Sequence, residues 1–251
     1  MLVVGPSGSG KSTLVAALVR DGWALLSDEQ LGVLPDGRLV AFPRPVTLRK
    51  NSWPLFPHLP VDVETESLER FEVAPTQLGA VYSGDPVTPV LIVRPDATEA
   101  ESGVEPMTIA DTFSTLLTDT LDLERAGEAG LDALISLVSH APGVRIAGTD
   151  LDATMAAITE QLRAAVAPGP VAETDVVCSS EVGIRSATSV AWRFIDDSAA
   201  LFDTEDGALV VLDGAGFDAW KLLGDPQATW PEGMAESDFV LQLREVGLVV
   251  R

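Results

Sequence analysis

A glycine-rich segment at the start of the chain, Gly5-Pro6-Ser7-Gly8-Ser9-Gly10-Lys11-Ser12, constrains the fold more than any other feature. It matches the pattern Gly-x-x-x-x-Gly-Lys-Ser/Thr of a phosphate-binding loop (P-loop). The apolar residues 2–4 precede it and a helix-forming run follows it, so the sequence predicts a strand, a loop and a helix in that order. The predicted nucleotide-binding residues are Gly5, Pro6, Ser7, Gly8, Ser9, Gly10, Lys11, Ser12 and Thr13.

Backbone N–H groups in such a loop, together with the N-terminus of the following helix, attract phosphate groups. The ammonium group of Lys11 is expected to reach the terminal phosphates, and the hydroxyl group of Ser12 is expected to bind Mg²⁺. We therefore expect ATP and Mg²⁺ as the ligands of this site.

A P-loop enzyme also needs a carboxylate at the end of an apolar strand, close to Ser12. Two segments meet this description, ALLSDE with Asp28 and Glu29, and ALVVLD with Asp213. Asp213 lies among short strands joined by tight turns, which indicate antiparallel pairing, whereas a strand beside the P-loop strand should run parallel to it. Asp28 follows Lys11 by 17 residues, a spacing that allows one helix and a right-handed crossover. We therefore favour Asp28 as the ligand.

Asp28 and Glu29 have a plausible division of work in phosphoryl transfer. Asp28 would hold the metal-bound phosphates or accept the proton of an acceptor hydroxyl, and Glu29 would assist it or bind the metal. Because successive side chains of a strand point to opposite faces, only one of the two can face the phosphates. The alternative is that both residues begin a surface turn.

The segment from residue 37 to residue 61 contains no Asp or Glu, although the chain as a whole is acidic. Its cations are candidates for contacts to the nucleotide phosphates or to the acceptor. The alternative is that a stretch of this length lacks acids by chance. The candidate residues are Arg44, Arg49, Lys50 and His58.

The charge balance, 16 Lys plus Arg against 38 Asp plus Glu, gives a formal net charge of −22. A field of this sign repels nucleic acids and anionic lipids, so neither is expected as a partner. No apolar run approaches the length of a membrane helix, and secretion is not expected because no basic and apolar segments of the signal-peptide type occur before the P-loop. The single cysteine, Cys178, excludes an internal disulfide framework and is typical of a reducing compartment. The expected localisation is cytoplasmic, and the oligomeric state, a homo-oligomer included, is left open.

Strand and helix patterns alternate in the first part of the chain, which predicts an α/β domain. The stretch TPVLIVRP is read as a strand that proline ends. Residues 164–175 contain Pro-Gly-Pro and are read as a linker. Three short strands followed by two helices then predict a small α+β domain of the winged-helix type. The expected organisation is a nucleotide-binding domain at 1–168, a linker at 169–175 and a C-terminal domain at 176–251.

The segment GPSGSGKSTLVAALVRDGWALLSDE resembles the core of the HPr kinase/phosphorylase family. In that family a P-loop is followed by one helix, an Arg-Gly-type turn and an acidic pair, and Glu29 stands here in place of the second Asp. The later stretch PRPVTLRKNSWPLFPHL is similar to uncharacterised relatives of the same family. The resemblance implies a P-loop kinase domain in which Lys11 and Ser12 contact phosphate and Mg²⁺ and Asp28 is the catalytic or metal-binding carboxylate.

The C-terminal part resembles the PqqD-like domain, a winged-helix module that recognises leader peptides of ribosomal peptides. The matching segments are VAWR, ALFDTEDGALVVLDGAGFDAWKLL and LREVGLVVR. In that module a peptide adds as a strand to the sheet edge. Trp220, within the first helix of this part, is expected in the core rather than at the peptide.

Together the two resemblances imply an ATP-dependent phosphotransferase. Its acceptor would be a serine or another hydroxyl on a small protein or precursor peptide brought by the C-terminal domain. A different class of protein stays open, namely an ATP-binding recognition or regulatory protein that transfers nothing and acts as a scaffold in peptide modification. A transport-type ATPase would need an LSGGQ-like signature, which the sequence lacks. A small-metabolite kinase would not need the C-terminal module.

Overall fold

The structure, a computed structural model, describes residues 1–59, 69–99, 101–165, 185–186, 190–203, 208–224, 238–246 and 249–250. The chain divides into two compact units, Met1–Thr108 with Ser136–Pro168, and Ile109–Ile135 with Gly169–Arg251. The middle segment Ile109–Ile135 thus groups with the C-terminal part. The linker expected at 169–175 and Cys178 lie outside the described residues, and the expected domain boundary stays a prediction.

The chain contains both strands and helices, in agreement with the expected mixed α/β class, although several strands follow one another without a helix between them. The strands are β1 (Leu2–Val3), β2 (Ala24–Leu25), β3 (Gly32–Val33), β4 (Leu39–Val40), β5 (Val46–Arg49), β6 (Arg70–Val73), β7 (Ala80–Val81), β8 (Ile92–Asp96), β9 (Gly103–Met107), β10 (Gly143–Ala147), β11 (Arg185–Ser186), β12 (Val190–Ile195), β13 (Ser198–Asp203), β14 (Leu209–Asp213) and β15 (Val249–Val250). The helices are α1 (Lys11–Arg20), α2 (Pro75–Leu78), α3 (Ile109–Asp119), α4 (Leu123–His140), α5 (Leu151–Ala164), α6 (Gly214–Gly224) and α7 (Asp238–Glu245), with a 3₁₀ helix at Lys50–Leu55.

The main sheet of the first unit has the strand order β1-β8-β10-β9. The first three strands are parallel, and β9 is antiparallel to β10. Smaller two-stranded sheets accompany it, namely β2 with β7, β3 with β4, and β5 with β6. The chain is therefore a mixed α/β protein with one largely parallel sheet and several small ones.

Helix α1 covers one face of this sheet because its apolar residues recur at helical spacing. Leu14, Ala17 and Leu18 are buried in a core that also includes Val46 and Leu48 of β5, together with Val93 of β8 and Val144 of β10. The helix ends where Gly22 adopts a left-handed conformation (φ 100°) and its N–H donates to the carbonyl oxygen of Val19. The helix predicted to follow the glycine-rich segment is thus observed, and it begins at Lys11, inside the P-loop motif.

The strand beside the P-loop strand differs from the one expected. Strand β1 pairs in parallel with β8, whereas β2, which leads to Asp28, pairs with β7. The prediction that the strand before Asp28 lies next to β1 was therefore wrong. A short helical crossover permits adjacent pairing but does not require it, and the apolar residues 91–93 occupy that position instead.

Pro95 lies within β8 rather than ending it. The strand continues to Asp96 because Pro95 pairs in register with Ile146 of β10, while β1 pairs only with residues 92 and 93. The Ile92 N–H donates to the Pro142 carbonyl oxygen, just before β10. Because backbone N–H groups alternate between the two neighbours of a strand, the nitrogen of Pro95 points away from β10. No bond of the ladder to β10 is lost there, which is why the proline is tolerated.

The second unit contains the antiparallel sheet β12-β13-β14, in the order in which the strands occur in the sequence. Trp220 of α6 is buried and meets Trp192 of β12 edge to face, with ring centroids 5.9 Å apart. Its expected place in the core is confirmed. Asp213 ends a strand that is antiparallel to β13, as the sequence indicated.

Arg193 of β12 connects this sheet to the middle segment of the same unit. Its guanidinium group contacts the carboxylate of Asp132 at 2.8 Å and that of Glu128 at 3.6 Å.

Among the described helices, none is both long and apolar enough to cross a membrane.

Candidate functional site

The segment 5–12, called the P-loop here for the sequence pattern that it matches, lies between β1 and the start of α1 and has the backbone conformation that its glycines allow. Gly5, Gly8 and Gly10 have φ values of 129°, 91° and 97°, a region that side chains with a Cβ atom rarely adopt. At Gly10 an added Cβ would also come within 3.1 Å of the Ala97 Cβ. The glycines of the motif are thus needed for the shape of the loop.

The side chain of Lys11 turns back into the loop. Its ammonium group donates hydrogen bonds to the carbonyl oxygens of Gly5 and, at 2.8 Å, of Pro6. Pro6, Ser7 and Gly8 are exposed at the tip of the loop. The positive charge of Lys11 therefore lies inside the loop, and the outer surface of the loop is exposed to solvent.

Asp28 lies against the first turn of α1. The Ser12 hydroxyl donates to its Oδ2 at 3.2 Å, and the backbone N–H of Thr47 in β5 donates to the same oxygen at 3.2 Å. Burial raises the pKa of Asp28 above its ordinary value, and the charge of Glu29 raises it further; the two hydrogen bonds and the charge of Lys11 oppose this rise. The structure thus brings together three predicted residues, Lys11, Ser12 and Asp28.

Glu29, in contrast, is exposed, and no hydrogen bond or ion pair holds it within the described residues. Its negative charge still acts on Asp28 through space. This arrangement agrees with the expectation that one member of the pair faces the loop.

Of the predicted cations, Arg49 contacts the P-loop directly, with its Nη2 donating to the Ser7 hydroxyl oxygen at 3.3 Å. Arg44 donates to the side chain of Gln30 at 3.1 Å, and the exposed ring of His58 meets Phe56 edge to face. The Lys50 backbone N–H donates to the Glu69 carbonyl oxygen at 3.1 Å. The segment 37–61 also contacts α1, where the Thr13 and Ser52 hydroxyl oxygens are 2.7 Å apart.

A second carboxylate near the loop was not predicted. Asp96 ends β8, the parallel neighbour of the P-loop strand, and the following N–H, of Ala97, donates to the Ser9 carbonyl oxygen at 3.2 Å. The signal is present in the sequence as an apolar run followed by an acid, LIVRPD. It was missed because the proline was read as the end of the strand.

Asp96 is already bound by neighbouring side chains. It accepts hydrogen bonds from the Thr98 hydroxyl at 2.6 Å and from Arg145 at 2.9 Å, which together lower its pKa to about 2. Arg145 also binds Glu99 and Glu105, and these three carboxylates raise its pKa. Asp96 therefore serves here to fix the turn that supports the P-loop.

The residues of the site match the requirements of a magnesium nucleoside triphosphate. The Ser9 hydroxyl oxygen is buried and has no hydrogen-bond partner within the described residues, and a buried polar atom of this kind calls for a partner. The loop offers backbone N–H groups, an ammonium group and the helix N-terminus to phosphate, while Ser12 and Asp28 offer oxygen ligands of the type that Mg²⁺ prefers.

No protein-family model, curated protein or solved structure matches the chain significantly. The argument for function therefore depends on the geometry of the site.

Proposed function

We propose that the chain is an ATP- and Mg²⁺-dependent phosphotransferase of the HPr kinase type. The proposal depends chiefly on one observation, the 3.2 Å contact between the Ser12 hydroxyl and the Asp28 carboxylate beside the P-loop. This contact joins a P-loop hydroxyl to the carboxylate expected to act in the same step, although β2 is not the neighbour of β1.

Each residue has a role that follows from its position. The loop backbone and Lys11 bind and orient the phosphates of ATP, and Ser12 and Asp28 are the residues that would hold Mg²⁺. The metal, when bound, neutralises charge on the phosphates. Thr47 holds the Asp28 carboxylate in place through its backbone N–H.

Asp28 is also suited to accept a proton. In the transfer step the acceptor oxygen bonds to the γ-phosphorus, the bond to ADP breaks, and the hydroxyl proton passes to a base. This role applies when Mg²⁺ is not bound directly to Asp28: the raised pKa of the metal-free carboxylate then lies closer to the working pH, where a general base is most effective.

The acceptor in this proposal is a serine or another hydroxyl group on a small protein or ribosomal peptide. The C-terminal unit supports it with an antiparallel sheet in which β12 and β14 each have one partner strand, β13, in the described part of the chain. A peptide could add as a further strand to such an edge. The proposal includes recognition of this peptide by the C-terminal unit, acting as a PqqD-like winged-helix domain.

A second candidate is an ATP-binding recognition protein that transfers nothing. The exposure of Glu29 favours this candidate, because Asp28 is then the one carboxylate of the acidic pair that contacts the first turn of α1. Transfer and binding must therefore be measured separately.

The test is single-turnover transfer from γ-labelled ATP to a library of serine-containing peptides in the presence of Mg²⁺. We expect Lys11→Ala to abolish labelling, because Lys11 is the cation inside the loop. The matched control is Arg163→Ala, an exposed cation in the last turn of α5. Labelling that survives unchanged in Lys11→Ala would refute the kinase; ATP binding without any labelling by the unaltered protein would favour the second candidate.

A further inference from the structure

The antiparallel pair β5–β6 has one apolar face and one polar face. Val46, Leu48 and Val73 are buried in the core of the first unit. Strand alternation therefore places Thr47 and Arg49 of β5 on the opposite face, together with Arg70 and Glu72 of β6. Thr47 stands opposite Glu72, and Arg49 stands opposite Arg70.

Arg49 and Arg70 form a cross-strand pair of like charges. The Thr47 N–H donates to Asp28 rather than to β6, whereas the Lys50 N–H donates to Glu69, the residue before β6. By the alternation of an antiparallel ladder, Arg49 and Arg70 are thus a non-hydrogen-bonded pair, the type with the closest side chains. Like charges in this position are unfavourable, and neither arginine is ion-paired within the described residues.

One member of this pair, Arg49, contacts the exposed tip of the P-loop, where it reaches the Ser7 hydroxyl. On one side of Arg49, the Thr47 N–H binds Asp28, which also accepts a hydrogen bond from Ser12 of α1. On the other side, Ser52 of the 3₁₀ helix contacts Thr13 of α1. These contacts fix Arg49 beside the loop, and the register of the two strands places Arg70 opposite Arg49. An anion between the loop and the two guanidinium groups would remove the repulsion between them.

We propose that Arg49 and Arg70 form a clamp for a phosphate group at the outer side of the P-loop. This inference rests on the proposed function, since the nearest phosphate would be the terminal one of ATP. The same chemistry fits a phosphate group carried by the product. Arg70 lies outside the cation-rich segment and has no signal in the sequence, because its position opposite Arg49 exists only in the folded sheet.

The experiment compares the affinities of the unaltered protein, Arg49→Gln and Arg70→Gln for ATP, ADP and inorganic pyrophosphate by calorimetry with Mg²⁺. If the clamp holds the terminal phosphate, each variant loses roughly tenfold in affinity for ATP, while its affinity for ADP changes little. Arg163→Gln is the matched control and should bind all three ligands as the unaltered protein does. Equal losses for ATP and ADP, or no loss for either, would overturn the clamp on the terminal phosphate.

A charge reversal tests the pair itself. In Arg70→Glu, Arg49 gains an opposite charge across the strands, so we expect a higher melting temperature without ligand and a weaker preference for ATP over ADP. A melting temperature that falls, with the ATP preference kept, would contradict the repulsion on which the clamp depends. Phosphopeptide binding that is lost in Arg49→Gln and Arg70→Gln, with ATP binding unaltered, would assign the clamp to the product and overturn its assignment to ATP.

The outcomes separate the clamp from the proposed function. A protein that binds ATP tightly through both arginines but labels no peptide would keep the clamp and lose the kinase. If the unaltered protein binds no ATP, the pyrophosphate titration decides: binding that needs Arg49 and Arg70 supports an anion clamp, and no binding refutes it together with the nucleotide site.

Discussion

Two carboxylates lie beside the P-loop, and their neighbours shift their pKa values in opposite directions. Asp28 is half-buried, accepts two hydrogen bonds and has a raised pKa. Asp96 ends the strand adjacent to β1, but Arg145 and Thr98 bind it and lower its pKa to about 2. Position in the sheet alone would favour Asp96 for the proposed reaction, whereas the local partners favour Asp28.

The largest expected effect that separates the two comes from removing each charge in turn. We expect Asp28→Asn to lower single-turnover phosphotransfer by roughly 10²- to 10⁴-fold, because it removes the expected base or metal ligand. Asp96→Asn should lower the same rate far less. Rates from γ-labelled ATP, measured over a range of Mg²⁺ concentrations, check this difference, and the reverse order would transfer the catalytic role to Asp96.

Much of the local structure could be predicted from the sequence, because it depends on nearby residues. The glycine spacing and the apolar periodicity of residues 11–20 are sufficient for the P-loop and α1. The neighbour of β1 could not be predicted, since long-range pairing decides it: two apolar segments, 23–26 and 91–93, were available, and the second took the position. The ion pairs of Arg145 likewise depend on three segments that meet only in the fold.

The next effect concerns the support that Asp96 gives to the loop. In Arg145→Met, the carboxylates of Asp96, Glu99 and Glu105 lose their shared cation. We expect a modest fall in the free energy of unfolding, because exposed ion pairs contribute little, and a modest fall in ATP affinity through the Ala97–Ser9 contact. Urea unfolding and calorimetry provide the two measurements. Arg145→Lys should restore part of the stability, and full stability in Arg145→Met would show that the network contributes nothing.

The smallest effect is the pH dependence of stability, where the two carboxylates should act with opposite sign. The native pKa of Asp96 lies below its ordinary value of 3.8, so its stabilising contribution is present above that value and is lost as the pH falls toward about 2. The native pKa of Asp28 lies above 3.8, so its charged form costs stability at neutral pH, and that cost disappears as the pH falls toward 3.8.

Urea unfolding of Asp28→Asn and Asp96→Asn between pH 2 and pH 7 measures this difference. At neutral pH the first variant should be slightly more stable than the unaltered protein, and the second should be less stable. The advantage of Asp28→Asn should vanish on acidification toward pH 3.8, while the deficit of Asp96→Asn should persist to lower pH and close near pH 2. If both substitutions changed the free energy of unfolding in the same direction at neutral pH, the two carboxylates would share one kind of environment. The distinction between a reactive and a structural acid would then fail.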